Sequence, residues 1–248
     1  MESGYYVAYA GLAARMQALD VMASNLANAS STGFKGQSTF YRALSAAQDG
    51  EILSPLNQAV NQFGILGGSR LDLQSGSLIT TGASTDLAME GDGYFSIQTK
   101  TGIRYTRDGN FRLNANRQVV TQDGDFVLAE QGTRTVPITL PTGAVYVSPD
   151  GTVSVDGGLV AKLHVVQFSP ETQLTPEGNS TYVAEGGSET PAANSNVRQG
   201  MLESSNLNPV AAAVGLIVLQ RQADILSRAL SIFNSDFDRT ATTDLPRV

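Results

Sequence analysis

The stretch Asn208-Pro209-Val-Ala-Ala212-Ala-Val-Gly-Leu216-Ile-Val-Leu219-Gln-Arg-Gln-Ala223-Asp-Ile-Leu226-Ser-Arg-Ala-Leu230-Ser-Ile-Phe233 decides how the chain is organised. Asn208-Pro209 reads as a helix start: an asparagine side chain caps free backbone N–H groups, and proline in the first turn lacks one. Ala212, Leu219, Leu226 and Phe233 then recur every seven residues, and Leu216, Ala223, Leu230 and Phe237 each follow four later. That alternation of four and three is the stripe of a coiled-coil helix. Past Phe237 the period is lost, so residues 239–246 read as a frayed tail.

The other end of the chain repeats the pattern. Tyr5, Leu12, Leu19 and Leu26 recur every seven residues, with Tyr9, Met16 and Ala23 four after the first three and Ala10, Ala13, Ala14 and Ala18 widening the stripe. Ser30-Ser31-Thr32-Gly33 supplies the stop. Between the two helices lie short runs of strand character, such as Gly93–Ile97, Arg117–Thr121, Ala144–Val147 and Leu159–Phe168. Asp92, Asp108, Asp123, Asp150 and Asp156 each precede a glycine. Asp-Gly supplies the positive-φ residues of tight hairpins, so the middle is expected to be antiparallel β.

The expected fold class is α+β. An N-terminal helix covers 1–31, a linker or extended hairpin region 32–84, a β-rich middle domain 85–184, a return linker 185–208, and the C-terminal helix with its tail 209–248. Helices from both chain ends would pair into one discontinuous coiled-coil domain beside an antiparallel, mainly β middle domain.

Composition narrows the function. The net charge of −7 and only three lysines, Lys35, Lys100 and Lys162, argue against nucleic acid as a partner. The absence of cysteine removes thiolate chemistry, and a single histidine, His164, rules out multi-histidine metal sites. No metal, cofactor or small-molecule substrate is expected, and His164 reads as a strand residue. The aspartates could suggest a paired-carboxylate hydrolase, but the glycine after each is already explained by turn geometry. No stretch reaches the ~18 uninterrupted apolar residues that span a bilayer. The start of the chain lacks the basic region of a cleaved signal peptide.

The helices themselves carry little charge. Residues 1–31 hold only Glu2, Arg15 and Asp20, and residues 209–233 only Arg221, Asp224 and Arg228. Two readings follow. Either the helices are buried among copies of themselves or relatives, or both pack onto the β domain as an ordinary core. A secreted adhesin with coiled-coil ends is a further possibility, and it predicts stable trimers.

Four stretches carry a family resemblance. Ser24-Asn25-Leu26-Ala27-Asn28-Ala29-Ser30-Ser31-Thr32-Gly33-Phe34-Lys35 resembles the N-terminal signature of bacterial flagellar rod and hook proteins. Thr85–Phe95, Tyr105–Phe111 with Leu113 and Asn114, and Gly200–Val210 resemble three further segments of that family, in the same order. Within it, length and the start of the chain fit the proximal-rod members best and the distal-rod members second. The resemblance implies a non-enzymatic subunit of the basal-body rod that crosses the periplasm. It would be exported by the flagellar export apparatus without a cleaved signal and would polymerise helically with copies of itself and other rod proteins into a torque-transmitting shaft. Leu12, Met16, Leu19, Leu26, Leu216, Leu219, Ala223, Leu226, Leu230 and Phe233 would then form the assembly interface, with Asn25, Asn28 and Phe34 at the turn that follows the first helix. Lys35 reads as a solvent-exposed lysine whose pairing would be worth little.

Overall fold

The computed structural model describes residues 2–42, 65–132, 134–185 and 189–243. Helix α1 runs Glu2–Ala27; strands follow as β1 (Gln37–Arg42), β2 (Ile65–Leu71), β3 (Leu78–Thr80), β4 (Leu87–Glu90), β5 (Tyr94–Thr99), β6 (Gly102–Thr106), β7 (Arg112–Leu113), β8 (Val119–Val120) and β9 (Phe126–Gln131). Next come β10 (Arg134–Pro137), β11 (Val145–Val147), β12 (Thr152–Val155), β13 (Gly158–Leu163), β14 (Val165–Gln167), β15 (Gln173–Gly178), β16 (Thr181–Glu185), β17 (Thr190–Pro191), β18 (Asn196–Gln199) and β19 (Met201–Glu203). Helix α2 closes the order at Pro209–Thr243. The period is lost after Phe237, yet the helix continues through the segment read as a frayed tail as far as Thr243; residues 244–248 and part of the first linker, 43–64, lie outside the described residues.

The chain divides into two compact units. A helical unit comprises Met1–Ala27, Gln37–Arg70 and Asn208–Val248; a β unit comprises Asn28–Gly36 and Leu71–Leu207. In the β unit a large antiparallel sheet runs in the order β11-β12-β13-β9-β5-β6-β16-β15, with β7, β8, β10, β14 and β17 attached at its flanks. Strands β4 with β18 and β3 with β19 form two smaller pairs. Residues 190–203, read as part of a return linker, therefore supply three strands. They were missed because each is two to four residues long, too short to show alternation. The core gathers Leu87, Met89, Phe95, Ile97, Phe111, Val127 and Leu163, with Phe95 and Phe111 edge-to-face at 5.3 Å.

The Asp-Gly reading holds at its clearest position. Asp156 (φ 49°) and Gly157 (φ 83°) are the two central residues of the hairpin joining β12 to β13, where Val155 pairs with Gly158. At Asp92-Gly93 and Asp108-Gly109 neither residue has positive φ, so those dipeptides sit in other kinds of connection. His164 lies between β13 and β14 with Nδ1 2.8 Å from Ser96 Oγ. Among the described residues no group of three His, Cys, Asp or Glu side chains is placed to hold a metal ion.

One expectation about the bilayer changes. Pro209–Ile232 is long and apolar enough, by length and composition, to cross a membrane. The dense apolar run Val210–Leu219 outweighs Arg221 and Asp224 in the average, although those charges interrupt the stretch.

Candidate functional site

Two sets of residues stand out, one in each unit. In the helical unit, α2 starts as its sequence dictates: Asn208 Oδ1 accepts the N–H groups of Val210 and Ala211 at 3.0 and 3.1 Å. Its heptad stripe is turned toward the unit's own interior. Ala212, Ala223, Leu226 and Leu230 are buried and Leu216 and Leu219 half-buried, in a unit where α1 and α2 pack together. The Met22 thioether methyl sits against Gly215. Phe233 lies on α2, but its side chain is outside the described residues.

On α1 the buried stripe is not the one made by the large residues. Gly11, Ala14, Ala18 and Asn25 are buried, whereas Leu12, Leu19 and Leu26 are half-buried and Met16 is 53% exposed. Small side chains let neighbouring backbone approach closely, so the face that packs best is the one with least bulk. Asn25 closes the helix onto β1 by a two-point contact: its Nδ2 donates to Gln37 O at 2.7 Å and its Oδ1 accepts from Gln37 N at 2.9 Å. Asn28 begins the turn after the helix, with its carbonyl accepting from Ser31 N and its Oδ1 accepting from Ser31 Oγ.

A second apolar face is left open on α2. Val210, Val214, Ile217, Val218, Ile225 and Ile232 are all exposed, Val210 at 73% and Ile225 at 69%. Positions 218, 225 and 232 repeat every seven residues, as do 210 and 217. Sequence reasoning missed this face because the leucine stripe outranks it, although the β-branched residues at the same period were there to be read. Covering six such side chains would return about 1.5–3 kcal/mol each.

In the β unit the segment 32–36 is held by a buried charge cluster. Lys35 Nζ donates to Glu203 Oε1 at 2.6 Å and to Gln74 O at 2.7 Å; Arg107 Nη1 donates to Glu203 Oε2 at 3.3 Å. Lys35 and Arg107 are each 1% exposed and the Glu203 side chain is fully covered. Arg107 also donates through Nη2 to Gly91 O and lies 4.7 Å from the centroid of the Tyr94 ring, while its buried Nε has no hydrogen-bond partner among the described residues. Lys35 N donates to Tyr182 Oη at 3.1 Å, Gly33 N to Glu203 O at 2.8 Å, and Thr32 Oγ1 to Asp108 Oδ1 at 2.6 Å. Phe34 is buried in the same segment. The reading of Lys35 as an exposed, weakly paired lysine is therefore corrected. Its partner lies 168 residues away in sequence, a distance across which no local pattern gives a signal.

Burial drives the titration of this cluster. Desolvation lowers the Lys35 pKa against the raising influence of Glu203, and desolvation raises those of Tyr94 and Tyr182. The signs oppose each other. A lysine with depressed folded pKa makes stability rise as pH climbs toward its unfolded value near 10.4. Tyrosines with raised folded pKa lose their contribution as pH rises above an unfolded value near 10. The urea midpoint is expected to climb as pH approaches 10 and to fall beyond it. Lys35→Met is expected to remove the climb while Tyr94 still produces a fall; a climb of unchanged size in that variant would show that Lys35 is not its source.

Residues 6–35 match the flagella basal body rod protein family, residues 88–155 the flagellar hook protein FlgE/F/G D1 domain, and residues 198–243 the flagellar basal body rod FlgEFG protein C-terminal region. The chain is 31% identical over 246 residues to the flagellar basal-body rod protein FlgF of Caulobacter vibrioides, which covers 97% of this chain and 98% of that relative. The chain belongs to the flagellar basal-body rod protein family. It is 32% identical over 225 residues to FlgF of Mesorhizobium japonicum, covering 89% of both chains. Against the rod protein FlgG of Borreliella burgdorferi it is 28% identical over 253 residues, covering 93% of this chain and 94% of the relative. The family is structural rather than enzymatic. Its matched segments coincide with both residue sets: 6–35 ends on Lys35, and 198–243 contains Glu203 and α2.

Proposed function

We propose that this chain is a structural subunit of the flagellar basal-body rod, of the FlgF kind, polymerising helically through its terminal helices into a torque-transmitting shaft. The observation that carries this reading is the open apolar face of α2, together with Tyr9 and Met16 exposed on α1. A free chain bearing such a face in water is incomplete. In this proposal Leu216, Leu219, Ala223, Leu226 and Leu230 hold the helix pair within one subunit. The exposed faces, including Met16 and the flanks of Leu12, Leu19 and Leu26, pack as coiled coils against copies of the chain and other rod proteins. Torque then passes because turning one subunit against the next would shear many interlocked side chains at once. Asn25 and Asn28 shape the turn after α1, and Phe34 seats the following segment. The subunit reaches its place in the periplasm-spanning rod through the flagellar export apparatus. It uses no cofactor, metal or nucleic acid and acts on no small-molecule substrate.

The chain contains no cysteine, which makes the test clean. Val218→Cys and Ile225→Cys thiols are expected to react with a maleimide rapidly in the free subunit and at least about tenfold more slowly in isolated basal bodies, as burial restricts reagent access. Equal labelling rates in the two states would refute assembly through this face.

A further inference from the structure

The β unit meets the rest of the polypeptide at four points: before Asn28, after Gly36, before Leu71 and after Leu207. Three of the four are tied together by the Glu203 neighbourhood. Glu203 Oε1 accepts from Lys35 Nζ and from Gly76 N at 2.8 Å, and its backbone carbonyl accepts from Gly33 N. Asn206 Oδ1 accepts from Gly36 N at 2.8 Å, and its Nδ2 donates to the carbonyls of Asp72 and Gln74. Asp72 N in turn donates to Gly36 O. Segments 33–36, 72–76 and 203–206 are thus joined where the chain passes out of the unit.

A buried ion cluster is a poor way to gain stability, since apolar residues of similar volume often serve as well or better. Its distinctive property is intolerance of partial formation. Among the described residues Glu203 is the only carboxylate in ion-pair contact with Lys35 or Arg107. Arg107 has a second anchor in Gly91 O and the Tyr94 ring, whereas among the described residues Lys35 Nζ has beside Glu203 only Gln74 O as a hydrogen-bond partner. Without the carboxylate, two buried cations face each other and Lys35 is the one with less to hold it. We propose that Glu203 is a positioning residue that, acting through Lys35, clasps three chain exits of the β unit into one fixed junction. The role rests on the reading of the chain as a load-bearing rod subunit: load entering the β unit from the C-terminal helix or from either end of residues 37–70 then passes into the same buried point rather than along separate linkers.

The test is hydrogen exchange on the full-length chain, paired with incorporation into basal bodies. In Glu203→Gln, exchange at the amides of Gly33, Lys35, Gly36 and Gly76 is expected to speed at least about tenfold, while Phe95 and Ile97 in the sheet keep their protection. The ultraviolet ionisation of Tyr182 is expected to move to lower pH, because the Glu203 charge that raises it is gone and water reaches a phenol whose burial also raises it. Should the sheet amides also open, Lys35→Met decides, because it keeps the Glu203–Arg107 pair and is expected to open Gly33, Lys35 and Gly36 alone. Unchanged exchange at those three amides in Lys35→Met would overturn the clasp. Opened exit amides with undiminished incorporation into basal bodies would overturn its positioning role; opened amides with incorporation lost would support it. A wild-type chain that keeps these amides protected yet never enters a basal body would contradict the rod-subunit reading instead, and the intact exchange pattern tells the two failures apart.

Discussion

Replacing Gly33 with alanine is expected to lower the stability of the β unit by about 2–5 kcal/mol in urea denaturation, a large share of what a domain possesses. Two costs combine at this position. Gly33 has φ +64°, a left-handed conformation that charges an L-residue about 1–2 kcal/mol. A β-carbon there would also stand 2.2 Å from Asp108 N and 2.4 Å from Arg107 C, both backbone atoms of the segment that carries the cluster arginine. No rotamer relieves a clash with backbone, so the 32–36 segment must lift away or the backbone at Arg107 and Asp108 must shift. Gly132 separates the two costs: its φ is +62° and, among the described residues, nothing lies within 4 Å of a β-carbon built there. Gly132→Ala is expected to cost only the conformational part, about 1–2 kcal/mol. A loss for Gly33→Ala no larger than that for Gly132→Ala would show that the segment is not seated against Arg107 and Asp108.

What could be read in advance divides along a physical line. Signals that act over a turn or two were legible: Asn208-Pro209 starts α2, Asp156-Gly157 turns a hairpin, and the seven-residue repeat marks both helices. Which face of a helix is buried was legible on α2, where leucine stands against β-branched neighbours, and was not on α1. There, large apolar residues and small ones alternate around the whole circumference, and Gly11, Ala14 and Ala18 took the packed face because close approach favours low bulk. The strands between 190 and 203 are too short to carry a period. The Lys35–Glu203–Arg107 cluster was beyond sequence reasoning for a different reason. A charged residue in a loop is solvated in most proteins, and only the tertiary fold reveals that both of its partners arrive from elsewhere in the chain. The motif Gly33-Phe34-Lys35 marked the place without revealing the chemistry.

Ile225→Asp is expected to abolish entry of the subunit into the rod while leaving the free subunit folded. Ile225 is 69% exposed, so the free chain loses no packed contacts and its stability is expected to change by no more than about 0.5 kcal/mol. If assembly covers the face made with Val218 and Ile232, the same aspartate must be buried there without a partner. That costs several kcal/mol at every repeat of the subunit along the shaft, or forces the carboxylate to take up a proton. Leu226→Asp provides the contrast. Leu226 is 7% exposed on the opposite side of α2, so its replacement is expected to disrupt the α1–α2 pair in the free chain, visible as a loss of helical circular dichroism before any assembly begins. The two neighbouring substitutions thus separate what holds one subunit together from what joins it to others. Basal bodies purified from cells that carry only the Ile225→Asp chain are expected to lack it. Its incorporation at wild-type levels would mean that the open face of α2 stays in water, and the case for assembly through these helices would lose its principal support.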